Sequence, residues 1–318
     1  MRPLVSIIVP CYNSSAWLAA TLKSALAQTW SRTEIIVVDD GSRDDSLAIA
    51  RRFEPQGVKV LKQANRGAAA ARNAALVLAQ GEYIQFLDAD DLLAPDKISR
   101  QLARLTMEPA DTVASAAWAR FHGYPAEAQF TPEPAWRDFV PPVDFLVLHY
   151  NTGWMMPPIA WLTPRAVIAR AGPWDERLTL NDDGEYFCRI LLASVGIAFC
   201  ADARCYYRSG LPGSLSRRTD LKSLESLRLS IALNSDALLE HAPTSAVRGA
   251  LANAWQKLAY DLYPDLPRES REAAARARDL GGATRPWEAG GRLQRLARLV
   301  GWRAAKRVHR ALGRQSPT

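Results

Sequence analysis

The sequence predicts an α/β fold with a mostly parallel sheet flanked by helices and a helical C-terminal extension. Two observations carry this. Four short apolar runs, at residues 4–9, 34–38, 58–61 and 83–87, are each nearly continuous, as strands covered on both faces must be. Stretches of helical composition separate them, at 16–28, 44–53 and the alanine-rich 67–79. Ser42 with Asp45 three residues on reads as a capping box for the second helix, and Gly81 closes the third.

Further along, Pro95 suits the first turn of another helix, and 113–118 reads as a strand. Residues 123–158 are rich in proline and aromatics without periodicity, which predicts a long, partly irregular excursion. Order returns with a strand at 159–162, a helix opened by Pro164 and stopped by Gly172, and an acidic helix over 183–193. Strands at 197–200 and 205–207 and helices at 221–239 and 245–260 complete the pattern, and no internal repeat occurs. This divides the chain into a body over 1–218, a helical extension over 219–264 and a basic tail over 265–318.

With 318 residues and 48% hydrophobic content, the chain can bury a sizeable core without staples. Cys11, Cys188, Cys200 and Cys205 form no CxxC pair and the histidines are scattered, so neither a zinc site nor a disulfide framework is expected. Reduced thiols, an apolar strand close to the N-terminus and no long uncharged apolar stretch predict a cytoplasmic protein without a spanning helix. The formal charge of +7 is unevenly placed: residues 285–318 hold nine basic residues against the single acid Glu288, which leaves the rest at −1. The body is nearly neutral, so it lacks the basic patch a nucleic-acid-binding fold requires.

Three acidic clusters and one arginine stand out. Asp39 and Asp40 end the second strand, where open α/β sheets bind ligands and a carboxylate can accept hydrogen bonds from a base or ribose; a helix N-cap is the plainer reading. Asp88, Asp90 and Asp91 follow the fourth strand, and three carboxylates so close repel unless donors or a hard divalent cation compensate them. An acidic turn is the alternative. Asp182, Asp183 and Glu185 open a helix whose dipole favours anions, which suits either a general base or an ordinary first turn. Arg72 sits on an otherwise alanine face, free to reach a phosphate or to lie in solvent. Neither GxGxxG nor a Walker loop is present.

Taken in order, Ser6-Ile7-Ile8-Val9-Pro10-Cys11-Tyr12-Asn13, Val38-Asp39-Asp40-Gly41-Ser42, Asn65-Arg66-Gly67 with Ala71-Arg72-Asn73, and Phe86-Leu87-Asp88-Ala89-Asp90-Asp91 resemble the family 2 glycosyltransferases. Gly172-Pro173-Trp174-Asp175-Glu176, Asp182-Asp183 and Tyr206-Tyr207-Arg208 with Ser214-Leu215-Ser216 are similar to later family segments. The resemblance implies a GT-A fold with a Rossmann-like sheet. Residues 1–120 would form the nucleotide-sugar-binding half and 121–218 the acceptor and catalytic half.

It further implies inverting transfer from a nucleotide-sugar donor, a UDP-sugar foremost, onto a glycan or lipid-linked acceptor in surface polysaccharide biosynthesis, with Mn²⁺ or Mg²⁺ as cofactor. Pro10, Tyr12, Asp39, Arg72 and Asp88 match nucleotide-sugar-binding positions, Asp90 the metal ligand and Asp183 the catalytic base. The chain departs from the family at Asp182, where glutamate is usual, and at Gly184, where a bulky residue is usual. A nucleotide-sugar-binding module without turnover is the rival reading.

In the tail, Leu293, Leu296, Ala297, Val300, Ala304, Val308 and Ala311 recur at helical spacing among arginines, the profile of a basic helix lying on an anionic membrane surface. Trp302 falls on the polar side of that pattern. A peripheral position on the inner face of the cell membrane is the corresponding expectation; an exposed basic tail or a helix packed on the protein is the alternative.

Overall fold

The computed structural model describes residues 2–154, 156–211, 220–284, 297 and 299–313. They form two compact units, Met1–Leu146 with Trp154–Arg218, and Val147–Gly153 with Thr219–Thr318. The expected Ser214-Leu215-Ser216 segment and the tail positions Leu293 and Leu296 lie outside the described residues.

The first unit is built on β1 (Val5–Cys11), β2 (Thr33–Asp39), β3 (Val58–Lys62) and β4 (Tyr83–Phe86), all parallel, with α1 (Leu18–Leu26), α2 (Ser46–Arg51) and α3 (Ala68–Leu78) as crossovers. Every residue of β1 is buried, because helices cover both of its faces and neighbours flank both of its edges. The short β7 (Thr163–Pro164) adds antiparallel to β4, giving the order β3-β2-β1-β4-β7. Cys11 pairs with Asp39 and Leu87 N donates to Ile8 O at 2.9 Å, so β1, β2 and β4 end side by side. That alignment gathers the acids at the strand tips.

A smaller sheet holds β5 (Leu92–Leu93), β6 (Thr112–Phe121) and β8 (Gly196–Arg208) in the order β5-β8-β6. Between the partners of adjacent Ala116 and Ala117, β8 inserts Ala201, Asp202 and Ala203, and this irregularity is why the sequence reads as two strands there. Helices α4 (Lys97–Leu105), α5 (Val143–Thr152), α6 (Arg165–Ala171) and α7 (Asp182–Leu192) complete the set before residue 196. Of these, α5 lies inside the stretch expected to be irregular, and from Val147 on it groups with the second unit. Residues 159–162 do not form the expected strand: Pro158–Ala160 is a 3₁₀ turn, and Leu162 makes an isolated bridge to Ala114. The expected Ser42 cap is also replaced. Asp44 Oδ1 accepts from Ser46 N at 3.0 Å, while Ser42 Oγ accepts from Asn13 N at 3.0 Å.

The second unit packs α8 (Leu221–His241), α9 (Ser245–Leu262), α10 (Pro267–Asp279) and α11 (Trp302–Gly313). Asp220 and Thr244 cap α8 and α9 by accepting from Ser223 N and Val247 N. Two buried serine hydroxyls are paired inside this unit: Trp255 Nε1 donates to Ser235 Oγ at 2.9 Å and Ser270 Oγ to Ala259 O at 2.6 Å. The tail is not one continuous helix. Gly301, at φ +79°, breaks it ahead of α11. Among the described residues, no helix is long and apolar enough to cross a membrane.

Candidate active site

The paired acids of β2 do different work. Asp40 accepts from Gln63 Nε2 at 2.7 Å, Arg66 N at 2.9 Å and Gly67 N at 2.8 Å, and so shapes the loop between β3 and α3. Gly41 must lack a side chain because its backbone, at φ +73°, presses within 2.8 Å of Asn65 N at the Cβ position. Asp39 is fully buried and its Oδ2 accepts only from Ser42 N at 3.2 Å, while Oδ1 has no partner among the described residues. A buried carboxylate oxygen left open is costly unless a ligand donates to it. Pro10 is buried opposite Val38. Tyr12 is 44% exposed and opens onto a cleft of about 640 Å³, which Ser42, Arg43, Lys62 and Asn65 also line.

At the end of β4, Asp90 and Asp91 sit in a poorly solvated loop. Burial pushes the Asp90 carboxyl up to about 6, the charge of Asp88 adds to this, and Arg208 opposes it. Burial and then Asp90 drive Asp91 in the same direction. Arg208 pins the loop: its N donates to Asp91 Oδ1 at 2.7 Å, its Nε to Asp90 O at 2.9 Å and its Nη1 to His122 O at 3.1 Å. The guanidinium lies 4.2 Å and 4.3 Å from the Trp17 and Phe121 ring centroids.

Arg72 is not the free surface cation its alanine face suggests. It is buried, donating through Nη2 to Asp88 Oδ1 at 2.7 Å and through Nη1 to Asp182 Oδ2 at 2.8 Å. Burial by itself would lower its pKa, but Asp88 and then Asp182 outweigh that and raise it. The guanidinium lies 4.3 Å from the Trp174 ring centroid, and Trp174 stacks on Tyr186 at 3.9 Å. Asn73 holds Trp174 in place by binding both its backbone groups, Nδ2 to Trp174 O and Oδ1 from Trp174 N, each at 2.9 Å. The end of β4 and the start of α7 thus share one cation on an aromatic platform.

Asn181, in the left-handed region at φ +59°, begins α7, and a Cβ at Gly184 would run into the Asn181 side chain. That contact explains glycine at a position where the resemblance leads one to expect bulk. Of the three acids there, Asp182 pairs with Arg72, and Glu185 accepts from Arg189 Nε at 2.6 Å and Nη2 at 2.8 Å. Asp183 has no ion pair among the described residues; its Oδ1 accepts from Gly184 N at 2.8 Å. Surrounding protein first, and Asp182 second, push its carboxyl up to about 6.

The structure therefore brings Arg72, Asp88, Asp182 and Asp183 together, with Asp90 two residues on, and sets Tyr12 on the cleft beyond β1 and β2. The roles of Asp40, Asn73, Trp174 and Arg208 were missed from the sequence. Only the motif resemblance drew attention to these segments, because each partner lies far along the chain. Among the described residues, no three acid, histidine or cysteine side chains form a ready-made metal cage. A hard divalent cation held by one or two carboxylates and a diphosphate needs no such cage, and the desolvated Asp90, repelled by Asp88, suits that role.

These features define an α/β domain of GT-A-like fold whose acids gather at the tips of neighbouring strands. Residues 6–156 match the family described as Glycosyl transferase family 2. The matched span contains Asp39, Arg72, Asp88 and Asp90 and ends before Asp183. The chain is 45% identical over 100 residues to the UDP-Glc:alpha-D-GlcNAc-diphosphoundecaprenol beta-1,3-glucosyltransferase WfaP of Escherichia coli, which covers 31% of this chain and 40% of that protein. It spans between 14% and 41% of the length of such curated relatives. Its fold is similar to that of S. aureus TarS 1–349 solved with UDP-GlcNAc, at a TM-score of 0.63 and 19% identity over 91% of this chain and 95% of that one. The mannosyltransferase PcManGT of Pyrobaculum calidifontis, solved with GDP-Man and Mn²⁺, gives a TM-score of 0.54 and 21% identity over 88% and 85% of the two chains.

Proposed function

We propose that this chain is an inverting glycosyltransferase that moves a sugar from a nucleoside-diphosphate sugar, a UDP-sugar foremost, to a hydroxyl of a glycan or lipid-linked acceptor in polysaccharide biosynthesis. One observation carries the reading. In the acidic turn of α7, Arg72 occupies Asp182 and Arg189 occupies Glu185, which leaves Asp183 as the acid free to take a proton beside the Asp88 end of β4. Similarity to WfaP, a glucosyltransferase acting on a diphosphoundecaprenol-linked sugar, and to TarS solved with UDP-GlcNAc supports the acceptor and donor classes.

Tyr12 and the open Asp39 oxygen would receive the nucleoside, with Pro10 shaping the end of β1. The acceptor oxygen attacks the anomeric carbon from the side opposite the diphosphate, and its proton passes to Asp183. The bond from the anomeric carbon to the diphosphate breaks, and its electron pair leaves with the diphosphate. A general base so placed contributes roughly 10²–10⁴-fold in rate. Asp90, with Asp88 beside it, would hold a divalent cation, Mn²⁺ or Mg²⁺, which when bound supplies positive charge to the departing diphosphate. Arg72 acts through Asp88 and Asp182, keeping the donor end of the site in register with the base.

The test is a panel of nucleotide sugars scored for thermal stabilisation with and without Mn²⁺, followed by transfer assays on any donor that stabilises. A donor at about 100 times its Kd adds about 2.7 kcal/mol of stability. Metal-dependent stabilisation with transfer, both lost in Asp90→Ala, supports the reading. Stabilisation with neither transfer nor donor hydrolysis would identify a binding module instead.

A further inference from the structure

We propose that α11, with the two helical residues before Gly301, presents a docking surface for an anionic lipid bilayer. The inner side of α11 is used up within its own unit. Ala305 is fully buried, the Trp302 ring lies 5.9 Å and 5.6 Å from those of Tyr260 and Tyr263, and Lys306 Nζ donates to Tyr260 O. Trp302, out of place on an amphipathic pattern read from the sequence, is the anchor that seats this helix.

What remains outside is unusual for a face turned to water. Leu299 is 84% exposed, Val300 52% and Val308 44%, and apart from Leu221 they are the only large apolar side chains exposed in this unit among the described residues. Scattered exposed apolar groups need no explanation, but three within ten residues on one segment do. Cations alternate with them along the sequence: Arg303, half-buried, lies over Trp302 and Tyr263, Arg307 lies over Tyr263 and stays exposed, and residues 297–308 contain no acid. Residues 285–318 carry nine basic residues against one acid, so the whole segment is drawn to negative charge.

Apolar tips interleaved with cations match the boundary between headgroups and acyl chains, where the tips leave water and the cations meet phosphate. A nucleic acid would be recognised by the cations alone and would leave Leu299, Val300 and Val308 in water. The inference is independent of sugar transfer, although it would bring a site acting on a lipid-linked acceptor to the surface that holds it.

The experiment uses the full chain with vesicles of phosphatidylcholine alone and of phosphatidylcholine with phosphatidylglycerol. It compares wild type with Leu299→Asp/Val308→Asp and Arg303→Gln/Arg307→Gln. The expected result is binding to the phosphatidylglycerol vesicles that weakens with salt and is at least about tenfold poorer to the neutral ones. Loss of each cation should weaken binding by about fivefold and loss of each apolar tip by about tenfold. Thermal melts of the aspartate variant stay unchanged because its two sites are exposed, so this variant decides the matter if the arginine variant undocks α11. Equal binding to both vesicles, binding to neither, unchanged binding in the aspartate variant, or capture by a DNA duplex in place of vesicles overturns the proposal.

Discussion

Arg72 reaches Asp182 across 110 residues of sequence, at 2.8 Å, while the other arm of the same guanidinium holds Asp88 at 2.7 Å. One side chain therefore sets the distance between the loop that follows β4 and the first turn of α7. Its planar fork matters as much as its charge, because two acids approach from different elements and the Trp174 ring supports the flat cation.

Arg72→Ala leaves two partly buried acids facing each other and is expected to cost roughly 2–4 kcal/mol, somewhat less than for fully buried pairs because both acids keep some contact with water. Arg72→Lys keeps the charge but cannot fork to both acids. It should retain most of the stability and lose turnover, with kcat falling more than KM rises. Thermal melts and steady-state kinetics separate the two effects.

Asp39→Asn preserves shape and removes the charge whose Oδ1 has no partner. Hydrogen bonds to charged groups contribute about 1.5–3 kcal/mol, so nucleoside-diphosphate affinity should fall by about 10- to 100-fold. Folding stability should hold or rise. Titration calorimetry with the free nucleotide reads the first effect and a melting curve the second.

Lys97 is fully buried, with only neutral partners for its Nζ in Gln85 Oε1 and Trp161 O. Burial lowers its pKa from the ordinary 10.5 to about 7. Between those values the folded chain holds fewer protons than the unfolded one, so this group's contribution to stability rises with pH. The cost of burying the charge is fully present below about 7 and is gone above about 10.5. From about pH 7 to pH 10, wild type should gain roughly 2–4 kcal/mol relative to Lys97→Met. Parallel denaturation curves for the two proteins would refute this assignment.

The strands β1, β2 and β4 were legible because a strand buried on both faces is written as a nearly unbroken apolar run, whereas β3, at the sheet edge with Lys59 and Lys62 exposed, showed only as a short apolar stretch; the strand tips followed from where those runs stop. The acids could be located that way, but what each one does could not. Asp39 differs from Asp40 only through Gln63, Arg66 and Gly67, and Arg72 becomes a tether only through Asp182. Helix α5 stayed hidden because Val143, Phe145 and Leu146 are buried too close together to mark a helical period. Likewise, the tail reads as one amphipathic helix until Gly301 takes a left-handed turn and Trp302 finds Tyr260 and Tyr263.

The base assignment is tested most directly by measuring transfer and donor affinity on the same samples of wild type and Asp183→Asn. The account predicts that turnover falls roughly 10²–10⁴-fold while donor Kd stays within about threefold, and that wild-type kcat climbs with pH through about 6, where the Asp183 carboxyl loses its proton. Full turnover by Asp183→Asn would contradict it and move the proton acceptor to Asp182 or Glu185.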